Sequence, residues 1–81
     1  PSYSVTGSKA CEIRVWRQGN DLYILGASAN LQTDTVALTF AAPIATVETL
    51  FGNQAHSQGT TISMTLDALT PVCLRATLNE R

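Results

Sequence analysis

Charge is scarce in this chain. Of its 81 residues 14% are charged, against roughly 25% in an ordinary soluble domain. The five basic residues, Lys9, Arg14, Arg17, Arg75 and Arg81, are scattered and offset by six acids, leaving a formal net charge of −1. With no basic stripe to meet phosphates, neither a nucleic acid nor an anionic membrane surface is an expected partner. Long apolar runs are missing as well. None approaches the ~20 residues needed to span a bilayer, and no stretch reads as a signal peptide. The chain starts at Pro1 without a Met, so a processed or excised piece of a longer polypeptide is expected.

Cysteine and histidine are equally sparse. Two cysteines, Cys11 and Cys73, are too few for a disulfide scaffold. Alternation puts Cys11 on the side of Ile13 and Val15, whereas Cys73 alternates with Val72 and Leu74, so two free, partly buried thiols are expected. The one histidine, His56, lies in a polar stretch. No Cys/His cluster has zinc spacing, so neither a metal nor a cofactor is expected. Neither cysteine sits in a nucleophile elbow, and no glycine spacing matches a phosphate-binding loop. A glycosidase needs two carboxylates about 5–9.5 Å apart across a cleft. The acids here are Glu12, Asp21, Asp34, Glu48, Asp67 and Glu80. Most fall at strand ends or outward positions, where carboxylates are simply solvated. No catalytic residue is expected in this chain.

What the sequence does contain is alternation. At 44% hydrophobic it has enough apolar side chains for one core and one domain, although a chain this short buries only about 60–65% of its unfolded surface. Residues 1–10 read as a linker or a short edge strand near Tyr3, and residues 11–81 as the domain. Strands are predicted at Cys11–Arg17, Asp21–Ser28, Asp34–Ala41, Ile44–Phe51, Thr60–Asp67 and Val72–Leu78. Gly19-Asn20 is a two-residue hairpin signal. It places Trp16 opposite Tyr23 and Val15 opposite Ile24, and a slip by one residue would turn one strand inside out. Gly26, inside a strand, signals a bulge or a close backbone approach. Pro43 ends one strand and begins another segment. Residues 52–59, including His56, read as a polar loop. No segment has a helical period, so the predicted class is all-β: a small antiparallel β-sandwich of about six to eight strands. Ile13, Val15, Ile24, Val36, Leu38, Phe40, Ile62, Met64, Leu66 and Leu74 are predicted to share one core.

The candidate site is a pair of aromatics. Trp16 and Tyr23, with Arg14 beside them, are predicted on the face opposite the core. Such a pair can cover a neighbouring domain, stack within its own sheet, or stack on a sugar ring; with the faces reversed it would belong to the core.

Several segments also carry a resemblance. Asp21-Leu-Tyr-Ile-Leu25, Thr35-Val-Ala-Leu-Thr-Phe40, Ala45-Thr-Val-Glu-Thr-Leu-Phe-Gly-Asn53, Thr61-Ile-Ser-Met-Thr-Leu66 and Thr70-Pro-Val-Cys-Leu-Arg75 together resemble the small β-sandwich appended to (β/α)8-barrel glycoside hydrolases. The resemblance spans about residues 11–78. Residues 54–58 and Cys73, where an aromatic is more familiar, depart from it. It implies a non-catalytic accessory domain whose partner is the catalytic domain of the same polypeptide, which it packs on and stabilises; the location stays unknown, a secreted or periplasmic one being slightly favoured. It transfers no catalytic acid to this chain. The alternatives are an autonomous carbohydrate-binding module contacting polysaccharide, and an Ig-like interaction domain.

Overall fold

Alternation decides the architecture. A computed structural model describes residues 3–7, 11–29, 32–68 and 70–79. Eight strands follow one another: β1 (Tyr3–Thr6), β2 (Cys11–Gln18), β3 (Asp21–Ser28), β4 (Asp34–Phe40), β5 (Ile44–Phe51), β6 (His56–Gln58), β7 (Thr61–Leu66) and β8 (Val72–Leu78). They form two four-stranded sheets, the first in the order β1-β4-β7-β6 and the second β2-β3-β8-β5. Every paired strand in both sheets is antiparallel. The two sheets face each other as a small β-sandwich, each turning one side of its pleat inward. Lys9, Glu80 and Arg81 lie outside the described residues.

Two short hairpins set the registers. Gly19, at φ 63°, opens the turn between β2 and β3, and Gln18 pairs with Asp21, Trp16 with Tyr23 and Val15 with Ile24. Gly59, at φ 61°, does the same between β6 and β7, where Gln58 pairs with Thr61. In both turns a glycine takes the left-handed conformation that a tight hairpin demands. The second hairpin corrects the expectation of a polar loop over residues 52–59. β6 is three exposed polar residues, His56-Ser57-Gln58, and so carries no apolar alternation. Its pairing with β7 alone makes it a strand.

The crossing from β4 to β5 is pinned at Pro43. Its carbonyl accepts from Asn79 N at 2.8 Å, and Ile44 N donates to Gly59 O at 2.8 Å. A proline here costs no ladder bond and turns the chain from one sheet to the other.

The core lies between the sheets. Leu22, Ile24, Val36, Leu38, Ile62, Met64, Leu66, Val72, Leu74 and Ala76 are fully buried, with Phe40, Ala55 and Leu78 nearly so. Ile13 and Val15 pack against this cluster from β2. All ten residues expected in the core are thus in it or against it. Gly26 resolves to the second of its two readings. The register of β3 runs unbroken past it against β2 and up to it against β8, so there is no bulge. Instead a Cβ there would meet Met64 Cε at 2.9 Å and Ile13 Cδ1 at 3.1 Å. The missing side chain is the space into which the opposite sheet packs.

Polar groups close one end of the sandwich. Ser28, a buried polar residue, donates to Asp34 Oδ2 at 3.0 Å. Asp67 accepts from Thr33 at 3.0 Å and from Asn53 Nδ2 at 3.0 Å. Among the described residues no buried side-chain polar atom lacks a partner, as a low-dielectric interior requires.

Candidate functional site

The outward face of the second sheet carries the predicted aromatics. Because Trp16 pairs with Tyr23, Tyr23 with Arg75 and Arg75 with Glu48, these four side chains form one row across β2, β3, β8 and β5. The next row, two residues along, runs Arg14, Leu25, Cys73 and Phe51. Trp16 and Phe51 stand at opposite edges of this face, 54% and 51% exposed. Tyr23, Leu25 and Cys73 between them are half-buried. Arg14, Trp16 and Tyr23 are therefore brought together as predicted, on the side away from the core.

Phe51 and Leu50 reach this face through irregularities in β5. The register jumps between Ile44 and Thr46 and again between Thr49 and Phe51. Each jump is a bulge, with one extra residue opposite a single partner. Thr49 still pairs with the core residue Leu74, whereas Phe51 pairs with the outward Cys73 and Leu50 is 48% exposed. Two consecutive apolar residues thereby point away from the core. Simple alternation would send one of them inward.

Among the described residues one ion pair sits on the face. Arg75 Nη2 donates to Glu48 Oε1 at 2.6 Å. The carboxylate holds the Arg75 guanidinium above its ordinary range, with a smaller contribution from the Tyr23 hydroxyl. Both partners are about half exposed, so the pair adds little stability. It does keep two charges mutually neutralised in the middle of the face, between Trp16 and Tyr23 on one side and Phe51 on the other.

Four of the carboxylates have structural partners. Asp21 accepts from Thr77 Oγ1 at 2.9 Å. Asp34 accepts from Ser28 and lies 4.0 Å from Cys11 Sγ. Asp67 ties Thr33 to Asn53, and Glu48 is engaged by Arg75. His56 lines a shallow polar hollow of about 430 Å³ on the outward side of the first sheet, with Ser57, Gln58, Thr61 and Ser63. None of these is an acid or a second imidazole, so the hollow holds no acid–base pair. Among the described residues no group of three metal-ligating side chains comes together. Cys11 and Cys73 are both free, Cys11 on the inward side and Cys73 on the outward. No protein family, no curated protein and no solved structure matches this chain.

Proposed function

We propose that this chain is a non-catalytic β-sandwich domain of a carbohydrate-active glycoside hydrolase, which packs on the catalytic domain of the same polypeptide and stabilises it. The observation that carries the docking half of this reading is the outward face of the second sheet. Trp16, Tyr23, Leu25, Cys73, Leu50 and Phe51 give this face an apolar surface whose Arg75–Glu48 pair is internally neutralised, with Arg14 an exposed charge at its β2 edge. A contiguous apolar patch of this kind on so small a domain is characteristic of a covered surface. The carbohydrate half rests on the sequence resemblance.

Trp16 supplies the test. On the isolated chain it is exposed and outside the core, so Trp16→Ala is expected to change stability by less than about 1 kcal/mol. In the polypeptide that also carries the catalytic domain, the same substitution is expected to lower the thermal midpoint of that catalytic domain by several degrees (about 1–2 kcal/mol of lost contact). An unchanged midpoint there would remove the docking reading.

A second reading has its own observation: an indole that is half exposed beside Tyr23 can stack on a pyranose ring. Under that reading the isolated chain binds soluble polysaccharide, and Trp16→Ala abolishes the heat measured by titration calorimetry. A chain that gives no polysaccharide-dependent heat is not an autonomous carbohydrate-binding module.

A further inference from the structure

We propose that the free edge of β2 is a self-complementary docking strand, to which the β2 of a second copy of this chain adds antiparallel, with Ile13 opposite the partner's Ile13. Among the described residues the sandwich has four edge strands, β1 and β6 in the first sheet and β2 and β5 in the second. Three are blunted in the ways that keep edges from pairing. β1 is four residues long and β6 three. β5 is interrupted by two register shifts and preceded by Pro43. β2 alone offers eight consecutive strand residues, Cys11–Gln18, with no proline, no glycine and an unbroken register against β3.

Its open hydrogen-bonding positions follow from the hairpin. The residues flanking a two-residue turn are bonded to each other, here Gln18 with Asp21. Counting back, Trp16, Arg14 and Glu12 bond to β3, while Val15, Ile13 and Cys11 turn their N–H and C=O groups to the free edge. A second β2 can therefore pair through Cys11, Ile13 and Val15.

Charge then favours this register over its two neighbours. Glu12 and Arg14 are both exposed and, among the described residues, neither has an ion-pair or hydrogen-bond partner. A pairing that centres Ile13 on the partner's Ile13 places Glu12 opposite the partner's Arg14, and Arg14 opposite the partner's Glu12. These are non-hydrogen-bonded positions, where facing side chains come closest. Sliding the strands by two residues sets Arg14 against Arg14 or Glu12 against Glu12 instead. A sheet edge guarded by charges of one sign repels its own copy; Glu-Ile-Arg, read antiparallel, attracts it. The second sheet would then continue across the two-fold axis, doubling its strands. Only Cys11 to Val15 of each copy pair, so the interface is small and the dimer belongs to the weak class.

The test separates the two charges between two chains. Glu12→Arg leaves two arginines on one edge; Arg14→Glu leaves two glutamates. Both positions are exposed and outside the core, so each variant is expected to fold. In sedimentation velocity up to about 1 mM, the wild-type chain is expected to associate, and each variant alone to associate about tenfold more weakly. An equimolar mixture is expected to recover wild-type association, as a heterodimer by native mass spectrometry. A monomeric wild type at that concentration overturns the proposal. So does a mixture no stronger than its components, or association indifferent to both charges but lost in Phe51→Ser, which would place the contact on the outward face.

Discussion

Gly52→Ala is expected to destabilise the domain by about 2–4 kcal/mol, a large part of what a chain of this size has to lose. Gly52 sits just beyond β5 at φ 91°, in the left-handed region that an alanine enters only at a cost of roughly 1–2 kcal/mol. Space is the second obstacle. A Cβ at this position would lie 2.7 Å from Pro71 O and 2.9 Å from Val72 Cα. Both are backbone atoms at the start of the central strand β8, and neither yields as a side-chain tip would. Relieving that overlap costs roughly another 1–3 kcal/mol. The same bend turns Phe51 outward and lets Asn53 Nδ2 donate to Thr65 O at 3.2 Å and Asp67 Oδ2 at 3.0 Å, so strain here loosens the end of the sandwich that those bonds close. Gly59 is the control. Its φ of 61° is also left-handed, but nothing lies within 4 Å of an added Cβ, and Asn tolerates that conformation. Gly59→Asn should therefore stay within about 1 kcal/mol of the wild type. Urea denaturation of the two variants checks this, and equal midpoints would contradict the account of Gly52.

Leu74→Ala should be more damaging still. Leu74 is fully buried in the interior strand β8, between Ile24 on one side and Thr49 on the other. Removing three carbons from such a site costs about 2–5 kcal/mol, through lost burial and the cavity left behind. At roughly 0.05–0.15 kcal/mol per residue, an 81-residue domain has about 4–12 kcal/mol in all. The variant is expected to lose roughly a third to a half of that stability, read as a fall in the urea midpoint. Leu50→Ala, the same deletion at a 48% exposed position on the outward face, should shift stability by no more than about 0.5–1 kcal/mol. The difference between the two leucines measures which face is the core.

One half of the second sheet is readable in the sequence. Gly19-Asn20 fixes the hairpin, and apolar alternation in Ile13, Val15, Leu22 and Ile24 fixes which way it faces, so the position of Trp16 beside Tyr23 follows from local signals alone. Val36, Leu38 and Phe40, and Ile62, Met64 and Leu66, are equally readable, since each triplet alternates without interruption. β6 is not, because a strand with both faces polar has no periodicity to detect. The other half of the outward face is hidden for a different reason. Bulges at Ala45 and Leu50 break the parity of β5, and nothing in Val47-Glu48-Thr49-Leu50-Phe51 announces where parity breaks. The Arg75–Glu48 pair joins residues 27 apart in the chain and depends on the β5–β8 register, which only the folded sheet defines. Sequence alone thus locates the Trp16 end of the candidate surface and misses the Phe51 end.

If a catalytic domain covers the outward face of the second sheet, Cys73 lies in the middle of the covered area. Both thiols are free and half-buried, Cys73 facing outward between Leu25 and Phe51 and Cys11 facing inward beside Asp34. Thiol reactivity follows access, so the two report on opposite sides of one sheet. Maleimide labelling should be followed by peptide mass spectrometry, in the isolated chain and in the polypeptide bearing the catalytic domain. On a covered face, Cys73 labels at least about tenfold more slowly in the longer polypeptide while Cys11 labels at the same rate in both. Equal labelling of Cys73 in the two would mean that the face is open, and would contradict the docking reading.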